Sequence, residues 1–162
     1  MSTPNRYVPG FRLLNQNVFK KRTYGNTTGV VYAIGDAVIL TSGYLALATT
    51  FQLGSDPKLA GIVNQASTAA ANSAAGTGGL STEVIPCLPH YDFMVPDEDN
   101  VLVKATDVGE TVDLQSEDGI DNSDQVTLGY GFFIDEIDIS SAALAANSFG
   151  YAIGHFEFAA AS

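Results

Sequence analysis

Tryptophan is absent from this chain of 162 residues, cysteine occurs once, histidine twice, and Lys and Arg together only seven times. A lone cysteine, Cys87, excludes an internal disulfide and leaves the redox compartment open. Seven cations against 18 acids give a net charge of −11. A surface of that sign repels nucleic acid and anionic lipid, so neither is an expected partner. No stretch approaches the roughly 18 consecutive apolar residues of a membrane span. The opening MSTPNRYVPGFRLLNQNVFKKRT also lacks the continuous apolar core of a cleavable signal.

The same scarcity limits chemistry. Cys87 and His90 stand three apart in CLPH, with Asp92 close behind and His155 distant. A zinc site needs three or four ligands, so Asp92 would have to complete one. A small buried cysteine and a hydrogen-bonded histidine is the simpler reading. A Cys87–His90 dyad lacks any visible orienting group or oxyanion site. No nucleotide-binding glycine loop is present; GTGGLST at 76–82 lacks the lysine and the βαβ setting. No catalytic, cofactor-binding or metal residue is therefore assigned, and no small-molecule substrate is expected. The acidic runs Asp97–Asn100 and Asp118–Asp124 offer oxygen ligands of the kind Ca²⁺ takes, but neither has the EF-hand spacing. They read most simply as solvated turns.

What the chain does have is 46% apolar residues, arranged for strands, and an uneven distribution of charge. Residues 1–35 carry Arg6, Arg12, Lys20, Lys21 and Arg22 and no acid, a charge of +5. Residues 36–162 hold all the acids with only Lys58 and Lys104, a charge of −16. The proline, glycine and asparagine of the leader discourage a helix. Three arrangements suit it: an extended arm lying on its own domain, an arm reaching an acidic neighbour in an assembly, or a weak nucleic-acid contact. The cations, together with Phe11, Leu13, Leu14 and Phe19, are the candidate partner-binding residues. In the assembly reading, removal of residues 2–22 leaves the body folded.

The body reads as mainly β, a compact barrel or sandwich with little helix. Segments 29–41, 43–53 and 59–65 are expected strands, the first broken by Gly35-Asp36. Residues 64–82 form a low-complexity loop of Ala, Ser, Thr, Asn and Gly. Pro86, Pro89 and Pro96 make the following stretch an edge or a covering segment. Asp107-Val108-Gly109 is expected to join a hairpin, 116–125 to be an acidic loop, 140–148 a short helix, and 125–139 and 150–158 strands. Tyr32-Ala33-Ile34-Gly35 recurs as Tyr151-Ala152-Ile153-Gly154, which suggests one shared demand for a ring followed by a tight bend. The division is thus 1–25 arm, 26–158 β domain and 159–162 tail.

The succession GVVYAIGDAVILT, LAGIVNQAS, DNVLVKATDVGETVDL, DQVTLGYGFFIDEIDI, GYAIGHFEF resembles the small capsid decoration, or cement, proteins of tailed bacteriophages over about residues 26–158. The resemblance lies in layout, Gly-Asp turns and an Ala/Gly-rich loop. It implies a β-rich domain with an extended N-terminal arm and a homotrimer. It also implies a non-enzymatic virion protein on the capsid exterior, bracing adjacent major capsid protein subunits after assembly in the host cytoplasm. A tail or fibre component, or a small β-barrel ligand-binding domain or enzyme using Cys87, His90 and Asp92, is the alternative.

Overall fold

Alternation of side chains sets the architecture. In the last strand Ala152, Gly154 and Phe156 are buried while Ile153, His155 and Glu157 are only partly covered, the period of two that a strand with one core face must show. The computed structural model describes residues 10–14, 19–27, 30–48, 58–66, 81–96, 107–126, 129–138 and 151–159. These form eleven strands: β1 (Arg12–Leu13), β2 (Arg22–Gly25), β3 (Ala37–Thr41), β4 (Tyr44–Leu47), β5 (Lys58–Val63), β6 (Ser81–Ile85), β7 (Phe93–Pro96), β8 (Thr111–Ser116), β9 (Gly119–Gln125), β10 (Gly129–Asp138) and β11 (Tyr151–Ala159).

Two sheets result, ordered β1-β7-β11-β10-β8-β9 and β2-β6-β5-β3-β4, with antiparallel pairing throughout both ladders. The main core lies where they face each other. Phe93, Val95, Val112, Leu114, Phe132, Ile134 and Phe156 come from the first sheet, and Ala37, Ile62 and Ile85 from the second. This is sandwich packing, not a closed barrel. The five-stranded sheet also buries its other face, over Tyr32, Val38, Leu45, Val63 and Val84. Burial on both faces explains why 37–47 and 59–63 are nearly continuous apolar runs. The sheet curls until its two edges touch at a single parallel bridge between Asn26 and Leu45. Tyr32 fills the concave side and donates its hydroxyl proton to the Leu45 carbonyl at 2.6 Å.

Turn chemistry matches the sequence in two places. Ser42 and Gly43, with φ of 51° and 88°, join β3 to β4, and two successive positive φ values define the hairpin turn whose twist suits antiparallel strands. At Gly35-Asp36 the Asp36 N–H donates to the Ala33 carbonyl at 3.1 Å, and Gly35 at φ 98° takes the third position of a type II turn. Gly35 also lies against Gly10 so closely that a Cβ on either would press on the other's backbone.

Several expectations from sequence are corrected. The 116–125 stretch is a hairpin tip at Glu117-Asp118 followed by β9, not an acidic loop. Ile120 points into the core, while Asp121 is half-buried and Asp124 exposed. The proline-rich stretch is not an edge: β6 and β7 are both internal. Pro86 and Pro89 fall between these strands, and Pro96 ends β7 beyond the two residues that β1 covers. The repeated Tyr-Ala-Ile-Gly also adopts two conformations. Residues 32–35 enter a turn, whereas 151–154 form regular strand in which a side chain at Gly154 would collide with the Phe133 carbonyl. Residues 107–109 do turn into β8, with Glu110 N–H donating to the Asp107 carbonyl. The expected helix at 140–148, the segment that leads into Asp107 and most of the 64–82 loop lie outside the described residues; 81–82 already belong to β6.

Candidate functional site

The described parts of the basic leader, residues 10–14 and 19–25, do not stand apart from the body. Phe11 is 2% exposed and lies in the middle of the main core, with ring centroids 5.0 Å from Phe156, 5.6 Å from Phe132 and 6.5 Å from Phe93. Edge-on and tilted contacts of this kind are the favoured geometry for aromatic clusters. The backbone secures it further. Gly10 N–H donates to the Asp118 carbonyl and Phe11 N–H to the Gly35 carbonyl, at 2.6 and 2.8 Å. Phe11 is thus an anchor for the chain's own fold and has no surface to offer a neighbour. Removing residues 2–22 would empty this place, so the body is not expected to survive that deletion.

The other candidate residues follow the seam between the sheets. Arg12 and Leu13 form β1 on the edge of the six-stranded sheet, and Leu14 N–H donates to the Asp92 carbonyl at 2.8 Å. Leu13 and Phe19 pack partly buried on the rim of the core, and only Leu14, 46% exposed, offers an apolar side chain to solvent. Lys20 N–H donates to the Tyr91 hydroxyl at 2.9 Å, and Arg22 opens β2 on the edge of the other sheet. Residues 10–14 and 19–25 therefore run from one sheet to the other and supply an edge strand to each. Arg6 lies outside the described residues.

The cations Arg12, Lys20, Lys21 and Arg22 are all exposed on this seam. Two are partly engaged. The Arg12 guanidinium lies 5.3 Å over the Tyr151 ring, a cation–π contact. Lys21 Nζ is 3.2 Å from Glu83 Oε1. The Glu83 carboxyl is held below its usual range first by the Asn64 amide, which donates to it, and then by Lys21. Lys20 and Arg22 are the cations most available to a partner. The local result is a positive strip on a chain that is otherwise strongly acidic.

The Cys87, His90 and Asp92 grouping is not assembled. Burial pushes the Cys87 thiol well above its ordinary range, which suppresses the thiolate a nucleophile or metal ligand needs. His90 is exposed and packs edge-on against Tyr91 at 4.7 Å. Asp92 instead lies near Asp135 and His155, with ligand atoms of the three within 4.8 Å of one another. No sequence signal pointed there, because the three belong to segments that only the sheet order makes adjacent. The acids of 118–124 do not converge. On a strand, a three-residue spacing puts Asp121 and Asp124 on opposite faces and about 10 Å apart. Residues 97–100 lie outside the described residues.

No protein-family model matches the chain, and no curated protein and no solved structure is detectably similar to it.

Proposed function

We propose that this chain is a structural virion protein that binds the outer surface of a phage capsid between major capsid protein subunits and stabilises the head. The observation that carries the reading is the placement of charge. Arg12, Lys20, Lys21 and Arg22 line one seam of the domain, on or beside an edge strand of each sheet, while residues 36–162 are strongly acidic. Such polarity orients a protein on an acidic neighbour and accelerates encounter more than it adds affinity. Exposed sheet edges are also places where another chain can add main-chain hydrogen bonds. The seam is held by the core, so little ordering entropy is spent on binding. A homotrimer suits a site of three-fold symmetry, where many weak contacts act together across a lattice.

The test uses undecorated heads assembled from the cognate major capsid protein. Wild-type chain is expected to saturate them, with affinity that falls as salt rises. The double variant Lys20→Glu with Arg22→Glu changes two exposed side chains outside the core and is expected to bind at least about tenfold more weakly. Equal binding by the variant and wild type refutes the seam as the contact. Failure of the wild type to bind heads refutes the reading altogether.

A further inference from the structure

We propose that Asp92, Asp135 and His155 form a site for a divalent transition-metal ion of the zinc type on the outer face of the six-stranded sheet. The site is independent of the capsid reading. Its three residues come from adjacent strands: Asp92 immediately precedes β7, His155 lies in β11, and Asp135 lies in β10. Neighbouring strands are about 4.8 Å apart, so outward side chains at one level meet across the sheet.

A local irregularity aims one ligand. The register between β10 and β11 slips between Ile134 and Glu136, which leaves Asp135 as the extra, unpaired residue of a bulge. Bulges redirect a side chain in this way and are common beside functional sites. Here the Asp135 carboxylate Oδ2 lies 2.7 Å from His155 Nδ1. Phe133 lies against the imidazole, with ring centroids 5.2 Å apart, and limits its rotation.

The other side of the ring has the support that metal-bound histidines need. Glu157 Oε2 is 3.7 Å from His155 Nε2, within ion-pair range. Glu157 is itself held by the Thr111 hydroxyl, which donates to Oε1 at 2.6 Å. That bond spans from β11 to β8 across β10, and it passes where Gly131 contributes no side chain. A ligating imidazole typically gives its second N–H to a carboxylate, which fixes tautomer and orientation. On ion binding, the Nδ1 lone pair turns to the metal and the ring proton resides on Nε2, facing Glu157. One imidazole nitrogen and two carboxylate oxygens, with a solvent-accessible fourth position, match the three-ligand zinc pattern. Magnesium and calcium prefer oxygen alone.

The experiment takes the full chain, stripped with EDTA and dialysed, and titrates ZnCl₂ by calorimetry and by thermal melting. The expected result is one ion per chain and a melting temperature raised by about 5–10 °C at a hundredfold excess over Kd. Asp135→Asn and His155→Gln are expected to lower affinity at least tenfold while melting like the wild type without metal. Glu157→Gln is expected to lower it by about tenfold, as a positioning residue. His90→Gln, at the only other histidine, is expected to bind as wild type does. Absence of binding, equal binding by His155→Gln, or loss of binding in His90→Gln each overturns the site. An equal shift from MgCl₂ or CaCl₂ overturns the assignment of ion class.

Discussion

Replacing Phe11 with alanine separates a detachable arm from a structural segment. Phe11 touches three other phenylalanines, is almost fully excluded from solvent, and is flanked by backbone bonds to Gly35 and the β8–β9 hairpin tip. Truncating a phenylalanine in such a place loses its transfer free energy and leaves a cavity that the phenylalanines of β7, β10 and β11 cannot fill. The expected cost is about 3–5 kcal/mol. A domain of this size has about 5–15 kcal/mol in total, so the loss is roughly a fifth or more of its stability. At about 2–4 °C per kcal/mol the melting temperature should fall by roughly 6–20 °C. Urea unfolding followed by far-UV circular dichroism suits the measurement, because the chain has no tryptophan to report fluorescence. Leu14→Ala, at an exposed position beside it, serves as control and should change stability by about 0.5 kcal/mol or less. A Phe11→Ala protein within 1 kcal/mol of wild type would refute the placement of Phe11 and restore a separable arm.

Two further predictions concern buried polar groups. Asp36 is 7% exposed, and burial, opposed by the Ala33 N–H it accepts and aided by Glu117 and Asp118, raises its carboxyl to about 6. A carboxyl raised from 3.8 keeps its proton in the folded chain after the unfolded chain has lost it. Stability therefore declines between about pH 4 and pH 6 and levels off above, by about 3 kcal/mol. Asp36→Asn keeps an acceptor for Ala33 without the charge. It should exceed wild type in stability by up to that amount at pH 7.5 and match it near pH 3.5, as urea midpoints at both values will show; a gap independent of pH contradicts this. Thr82, 1% exposed, has a hydroxyl oxygen with no hydrogen-bond partner. Thr82→Val removes a desolvated group at nearly constant shape and should stabilise by about 1 kcal/mol, read as a rise of about 2–4 °C by calorimetry; a comparable fall shows that the hydroxyl is satisfied.

The β class was legible because strand alternation is local. Residues 150–158 carry it with no help from tertiary contacts, and β11 occupies nearly that span. The Gly35-Asp36 turn was legible for the same reason. The acidic run 116–125 misled because Glu117, Asp118, Asp121 and Asp124 surround a single large apolar residue, Ile120, whose burial in the core the sequence does not announce. The prolines misled because they sit between strands or at the end of one, where a missing N–H costs no ladder bond. Phe11 was hidden by its neighbours: surrounding cations, proline and glycine make the segment look solvated, and only the approach of Gly10 to Gly35 brings the ring inside. The Asp92, Asp135 and His155 cluster depends on sheet order and on a one-residue bulge, and neither leaves a mark in sequence spacing.

Hydrogen–deuterium exchange of the full chain, free and bound to undecorated heads, tests the central claim most directly. Binding is expected to slow exchange at residues 12–14 and 20–25, the seam and its two edge strands, and to leave β9, the other edge of the six-stranded sheet, unchanged. Protection confined to β9, or an identical pattern with and without heads, would contradict it.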